Sequence, residues 1–392
     1  MENTRRRIRD IDFSMISVLV IFAIYSCVAV LAATYGKISI DIPAHAWMKQ
    51  AMFELVGVVG MVLMASIDYR TLRRLKWWIY CFSILSLLVV FAMPGSHGAH
   101  SWIPLKVFSL QPSEFAKLSL ILSIAAYMAD IDEAEFPDYR LRKTIPIWIL
   151  FIIPFALTYK EPALGQALVM FAIVMTMLSI FIKRSHFVVL TTTFVAICLG
   201  TTLVLVQFPT QAFTFIQKVL IPHHILKGYQ ADRILSWLDP KYQLSNAGFN
   251  VHETEYAIGS GRMFGEGLLN GHATSGGWVP NQWTDYIFSA IGEEFGFMAS
   301  SILILLFMIL IYRLIRIAGT SPDTFGTYVI IGIIGMFGFQ IFENIGADMY
   351  MSPSTGITLP FISYGGSSLL ANFMAIGIAI SISMRRKKLR FN

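Results

Sequence analysis

Ionisable side chains that lie within or beside long apolar runs are few: Glu54, Glu114, Lys117, Asp285, Glu293, Glu294, Glu343 and Asp348. A charge taken out of water needs a partner, a wet cavity or a function. Glu114 and Lys117 stand three residues apart, on one face of a helix, and can neutralise each other. Such a pair is either a structural lock between helices or a charged wall of a cavity. Asp285 opens an apolar run in WTDYIF. With Thr284 as cap it would sit in the first helical turn, where the macrodipole favours a carboxylate. The alternative is a base or cation ligand at the membrane surface. Glu293 and Glu294 face different sides of the same run and read as packing carboxylates. The glycines of GSGRMFGEG at 259–267 fit neither GxGxxG nor a Walker loop, and point to backbone turns or close helix approach. The histidines of HGAH at 97–100 read as solvated loop residues. Cys27, Cys81 and Cys198 all fall in apolar runs, so neither a disulfide framework nor a cysteine metal site is expected.

The elements that carry these residues follow from composition. Of 392 residues, 56% are hydrophobic and 14% charged, with a mean hydropathy of +0.64. Soluble domains carry about 25% charged residues, so a soluble two-domain enzyme and a disordered chain are both excluded. Apolar runs of about twenty residues match a bilayer core of about 30 Å. Hydropathy places ten spans near 13–33, 50–67, 77–94, 113–129, 144–159, 164–181, 187–207, 284–312, 327–345 and 360–384. The first run is longer than a typical signal-peptide core and reads as an uncleaved helix, with a cleaved signal as the alternative. The eighth is longer than a bilayer requires, which predicts a tilt or first turns outside the core.

Cations set the orientation. Arg5, Arg6, Arg7 and Arg9 precede the first span, and Arg385, Arg386, Lys387, Lys388 and Arg390 follow the last. Arg70, Arg73, Arg74, Lys76, Arg140, Arg142, Lys143, Lys183, Arg184, Arg313 and Arg316 fall in loops of the same face, against Lys37, Lys49, Lys106 and Lys160 in the short loops opposite. The positive-inside rule puts both termini in the cytoplasm. The expected architecture is an all-α polytopic membrane protein, one domain over 1–392, with a single long extracytoplasmic loop at 208–283 before the eighth helix. That loop opens around Phe213–Leu226 with a pattern suited to a helix in the interface plane. No basic run interleaved with aromatics suggests nucleic acid, and no internal repeat or inverted symmetry suggests a transporter.

Four stretches carry more than spacing does. They are GAHSWI at 98–103 with QPSEFAKL at 111–118, then YQADRILSWLDP at 229–240 with AGFNVHETEYAIGSGRMFGEG at 247–267. WVPNQWTDYIFSAIGEEFGF at 278–297 and TGITLPFISYGGSSLLANFMAIGI at 355–378 complete the series. In this order they resemble the SEDS family of shape, elongation, division and sporulation proteins, over essentially the whole chain. The resemblance implies a peptidoglycan glycosyltransferase of the bacterial cytoplasmic membrane that polymerises lipid II at the outer face. It implies that Asp285 is the family's essential aspartate, acting as general base or cation ligand. Trp102, Glu114, Lys117, Ser363, Ser367 and Ser368 match further marked positions, which implies that they bind substrate or line its cavity. The short amino-terminal flank leans toward the RodA branch and an elongation role. The implied partners are a class B penicillin-binding protein, which is a transpeptidase, together with lipid II and undecaprenyl diphosphate.

Inverting displacement at an anomeric carbon needs a base near the attacking hydroxyl and charge stabilisation at the leaving group. Asp285 would supply the base. Lys117, Arg233 or a divalent cation such as Mg or Mn would neutralise the diphosphate, with Asp285 the expected metal ligand. Arg233 enters on its charge and outward location alone. The chain departs from the family pattern at Ser101, Ala163, Gln166, Arg262, Asn281 and Trp283, which leaves altered substrate handling open. A lipid II flippase and a non-catalytic scaffold for the penicillin-binding protein are the competing functions.

Overall fold

The computed structural model describes residues 12–35, 45–93, 101–104, 109–134, 142–161, 163–208, 211, 214–222, 228–238 and 247–385. Among them the chain is almost entirely helical. The helices are α1 (Phe13–Thr34), α2 (Ala46–Ser66), α3 (Tyr69–Arg74), α4 (Lys76–Val90), α5 (Pro112–Ala134), α6 (Ile145–Lys160) and α7 (Leu164–Phe181). They continue with α8 (Arg184–Gln207), α9 (Gly228–Leu238), α10 (Ala247–Ser260), α11 (His272–Gly276), α12 (Ile287–Gly319), α13 (Thr324–Asp348) and α14 (Gly366–Ser383). One short antiparallel pair, β1 (Ile103–Pro104) with β2 (Ser109–Leu110), precedes α5.

A helix lies at each of the ten apolar stretches read from the sequence. Seven helical segments are long and apolar enough to cross a membrane: Phe13–Thr34, Ala46–Ser66, Arg142–Lys160, Leu164–Phe181, Ile287–Gly319, Thr324–Asp348 and Gly366–Ser383. The last expected span was to begin at 360; its helix starts at Gly366, and 360–365 is a non-helical turn. Of the expected interfacial helix, Ile216–Leu220 forms one wide turn, while Phe213 and 223–226 lie outside the described residues. HGAH at 97–100, the arginines at 5–9 and the basic residues at 386–390 also lie outside them.

The core forms around α5. Its charged and hydroxyl side chains would suggest a surface, yet Ser113, Glu114, Lys117, Ser119 and Ser123 are all buried, as are Leu120, Ile121, Ile124 and Met128. α4, α6, α7, α13 and α14 pack around it. Two helix pairs approach closely through small residues, as membrane helices must when apolar burial gives no preference for protein over lipid. Gly377 of α14 lies against the Met61 backbone of α2, and Gly335 of α13 against Thr176 of α7.

α12 cannot run straight. At its carboxyl-terminal end Thr327 of α13 donates to the Ala318 carbonyl, so the two helices are level there. At the other end Asn344 of α13 donates to the Asp285 carbonyl. Between these contacts α13 rises about 26 Å, whereas Ile287–Ala318 as a straight helix would rise about 47 Å. The difference is absorbed at Gly296, whose φ of 72° and ψ of −172° break the helix. From Ala318 up to Phe297 the rise is about 32 Å, one bilayer core. Residues 287–295 are therefore a separate half-helix, turned back beside the end of α13.

The segment 259–267 fills the break. Phe297 and Met298 donate to the carbonyls of Arg262 and Met263, and Glu266 and Gly267 donate to those of Glu293 and Glu294. Gly261 and Gly265 abut the backbone of Gly292 and Glu294 so closely that neither has room for a Cβ. Close backbone approach, expected from the glycine spacing, is what these residues do. Glu293 and Glu294 also hold structure. Glu293 accepts from the N–H groups of Ala273 at 2.6 Å and Thr274 at 2.9 Å, at the start of α11, and Glu294 accepts from Leu269 N–H at 2.8 Å.

Candidate active site

Asp285 does not occupy a helical first turn. α12 begins at Ile287, its N-cap is Tyr286, and no side chain of its own caps it. The cap comes from α13, where Asp348 accepts from the N–H of Ser289 at 3.0 Å. Thr284 is not a cap either, because its hydroxyl donates to the Asn281 carbonyl at 3.0 Å. The helix dipole is thus neutralised by a different acid, which leaves the Asp285 carboxylate in the turn ahead of the helix.

That turn faces the loop 349–365. Asn344 donates to the carbonyl of Asp285 at 2.7 Å and to that of Ile357 at 2.8 Å. Ser363 donates to the Thr284 carbonyl at 2.6 Å and accepts from Leu359 N–H at 2.8 Å. Tyr364 N–H donates to the Trp283 carbonyl at 2.9 Å. Glu343, one residue before Asn344, accepts from the Thr355 N–H at 2.9 Å and from the Thr355 hydroxyl. Tyr286 and Ser354 share a hydroxyl–hydroxyl bond at 2.9 Å.

Arg233 arrives from α9. Its guanidinium donates to the Ser354 carbonyl at 3.4 Å, and α9 is tied to the same loop through Trp237 and Tyr350. The loop's glycine marks where cation and acid meet. A Cβ on Gly356 (φ +77°) would lie 3.2 Å from the Asp285 carboxylate and 3.1 Å from the Arg233 guanidinium. Burial pushes the Asp285 carboxyl above its ordinary value, opposed by the Arg233 charge. Burial also raises the phenol of Tyr286.

The other expected residues surround this centre. Lys117 and Glu114 form an ion pair at 2.8 Å with both side chains buried, and Gln166 donates to the second Glu114 oxygen at 2.7 Å. Next to Gln166 in α7, Gly165 packs against Thr355 and Ile357, the two residues that flank Gly356. Ser367 donates to the Ser109 carbonyl at 2.8 Å and accepts from Gln111 N–H at 3.0 Å, which ties β2 and the start of α5 to α14. Ser368 bonds Thr358 at 2.9 Å. The three serines therefore hold loops together. Trp102 is 39% exposed beside Ser101, whose hydroxyl donates to the Glu161 carbonyl at 2.5 Å. Burial raises the Glu161 carboxyl to about 8.

Sequence reasoning assigned Asp285 and Arg233 to one site, missed Asn344, Thr355 and Gly356, and met Gln166 only as a departure from the family pattern. Those four are uncharged, so charge gave no signal; the available one was the pair Thr355–Gly356 that opens the last family-like stretch. Among the described residues no group of three His, Cys, Asp or Glu side chains could hold a metal ion.

Against known proteins, the sequence pattern of the cell cycle protein family of FtsW, RodA and SpoVE matches residues 12–388. The probable peptidoglycan glycosyltransferase FtsW of Trichlorobacter lovleyi is 33% identical, over 98% of this chain and 96% of its own length. The peptidoglycan glycosyltransferase MrdB of Escherichia coli is 30% identical, over 97% and 95%. Among solved structures, a chain from a peptidoglycan synthase complex that coordinates polymerization and crosslinking has a TM-score of 0.72 at 24% identity, covering 96% of this chain and 98% of that one. The fold is therefore a known one.

The buried ion pair makes a prediction about stability. Lys117→Met leaves the Glu114 charge buried without its cation and should cost about 3–5 kcal/mol. The double variant Glu114→Gln/Lys117→Met should recover most of that loss. Thermal or denaturant unfolding in detergent measures both, and a double variant no more stable than the single one would show that the two groups are not coupled.

Proposed function

The chain belongs to the cell cycle protein family of FtsW, RodA and SpoVE and is a peptidoglycan glycosyltransferase, and from that premise we propose that it polymerises lipid II into β-1,4 glycan strands with Asp285 as general base. The observation that carries this reading is the meeting of Asp285 and Arg233 at Gly356, a glycine with no side chain to screen them. A carboxylate with a raised pKa is a stronger base, and a fixed guanidinium suits a diphosphate.

In this reading the 4-hydroxyl of one GlcNAc attacks C1 of a MurNAc on a second lipid II. Asp285 takes the hydroxyl proton as the new C1–O bond forms. The bond from C1 to the diphosphate breaks on the opposite face, and undecaprenyl diphosphate leaves with the electron pair. An α linkage thereby becomes β. Arg233 stabilises the charge developing on the diphosphate. Lys117 is committed to Glu114, so its contribution is to hold the neighbouring wall. A divalent cation arriving with the diphosphate would find one carboxylate, Asp285, beside a guanidinium; that donor set is not a metal centre by itself, and no step is routed through one.

The cation bias supports an orientation with both termini in the cytoplasm and the Asp285 turn outside. A class B penicillin-binding protein is the proposed partner, supported by the likeness to a chain of a complex that couples polymerization with crosslinking. An elongation role is supported by likeness to the Thermus thermophilus rod shape determining protein RodA, at a TM-score of 0.64 and 24% identity, covering 96% of this chain and 98% of that one. The broken α12 is a feature a flippase would share. Its freed backbone groups, however, are bound by 259–267 near one end of the helix, which favours a fixed site over alternating access.

With purified protein, lipid II and partner, Asp285→Asn should lower strand synthesis by about 10²–10⁴-fold with folding intact; equal chain growth would remove Asp285 from the mechanism. The ionised carboxylate is the active form, so the rate should fall as pH drops through its raised pKa. Arg233→Gln removes the opposing charge and should move that acid limb to higher pH. In vesicles of known orientation, a cysteine at exposed Ser275, in a background lacking Cys27, Cys81 and Cys198, should label only from outside. Deletion in the source cell should give round cells; filaments or defective spores would assign division or sporulation instead.

A further inference from the structure

The segment that mends the broken helix also shapes a cleft. It has a volume of about 1160 Å³, and its walls include Tyr256, Arg262, Glu266, Asn270 and His272. The cleft is preformed, because 259–267 is bonded to the half-helix along its backbone. A rigid site spares a ligand the cost of ordering it.

Its side chains are of a particular kind. Tyr256 is 51% exposed, and the ring of Trp278, 42% exposed, lies 6.0 Å from it at 39°. Arg262 is exposed in a left-handed conformation (φ 48°) and, among the described residues, makes no ion pair. Asn270 is exposed, and Glu266 caps His272 N–H at 3.0 Å. Aromatic faces beside amide and imidazole groups match the two-sided polarity of a sugar ring. An unpaired guanidinium matches a carboxylate. A protein-docking surface would instead be flatter, with an apolar centre depleted of charge.

Position connects the cleft to Asp285. One rim, at Ile258–Gly261, packs directly on Gly292 of the half-helix. Gly292 is about 10 Å along that half-helix from Asp285. A strand made at Asp285 and extending along the half-helix would enter the cleft after a short span.

We propose that this cleft binds the growing glycan strand, stacking its sugars on Tyr256 and holding the carboxylates of its peptide stems on Arg262. The inference rests on the polymerase reading and adds a holding site remote from the bond being formed. It predicts processive synthesis: losing the cleft shortens the chains without slowing each transfer.

The test uses the full-length protein in detergent and soluble, lipid-free peptidoglycan oligomers, with binding read by saturation-transfer NMR or calorimetry. Wild type and Asp285→Asn should bind alike. Tyr256→Ala and Arg262→Gly should each weaken binding at least about fivefold, the scale of losing one anchor side chain. Arg262→Lys should restore part of it. Both positions are exposed, and glycine suits the left-handed backbone at 262, so thermal midpoints should stay unchanged. With lipid II and partner, the same two variants should give chains at least about threefold shorter, with initial lipid II consumption within about twofold of wild type. Oligomer binding that is absent in wild type, or unaltered in both variants, overturns the proposal. Intact oligomer binding with loss of the co-purifying partner would make the cleft a protein-docking site and also overturn it. Should wild type consume no lipid II, the polymerase reading fails, and oligomer binding still decides the cleft.

Discussion

Asn344 gives the two hydrogens of one buried amide to the backbones of two different loops, and the position of the acid depends on that clamp. Neither the turn before α12 nor the loop after α13 has a regular ladder to hold it. Buried carbonyls left without donors would each cost about 1–3 kcal/mol. Glu343 fixes Thr355 from the adjacent position, so two successive residues of one helix set the loop on both sides of Gly356. The glycine is required twice, by its positive φ and by the two charged groups already in contact distance of any Cβ.

The broken helix follows from the same arrangement. A straight α12 would carry Asp285 far above the end of α13 and out of reach of Asn344. Breaking at Gly296 brings it back, at the cost of freeing backbone groups near the end of a membrane span, where few partners replace them. The segment 259–267 supplies those partners with its own backbone, which is why glycines recur there. The segment 259–267 and the acid are consequently one mechanical unit, since a change that displaces 259–267 must also move the half-helix that Asp285 precedes.

Much of the fold was legible because apolar runs of bilayer length leave few alternatives. The start of α12 was misread for a physical reason: local rules assign a first-turn acid to its own helix, whereas the cap here is Asp348 from α13. A partner so distant in sequence leaves no local trace. The serines of SYGGSS illustrate a second limit. They were expected near substrate, and they spend their hydroxyls on the carbonyls of Thr284 and Ser109 and on Thr358. Sequence motifs report that a position matters without separating contact with substrate from support of the backbone. Arg233 was identifiable by charge, because a cation outside the membrane-flanking clusters needs a separate reason.

The departures from the family pattern sharpen that distinction. Asn281 sits at φ 53°, a conformation asparagine tolerates better than most residues, and its carbonyl receives the N–H groups of Thr284 and Asp285. Trp283 buries its ring and offers its carbonyl to Tyr364. Arg262 turns its carbonyl to Phe297 and leaves its side chain free for the cleft. At Asn281 and Trp283 main-chain carbonyls hold the turn around Asp285, and at Arg262 a main-chain carbonyl ties 259–267 to α12. Gln166 is different, because its amide occupies one oxygen of Glu114 and leaves the other to Lys117. There the side chain itself completes a buried polar group, and a smaller residue would have to leave that oxygen to water or to another donor.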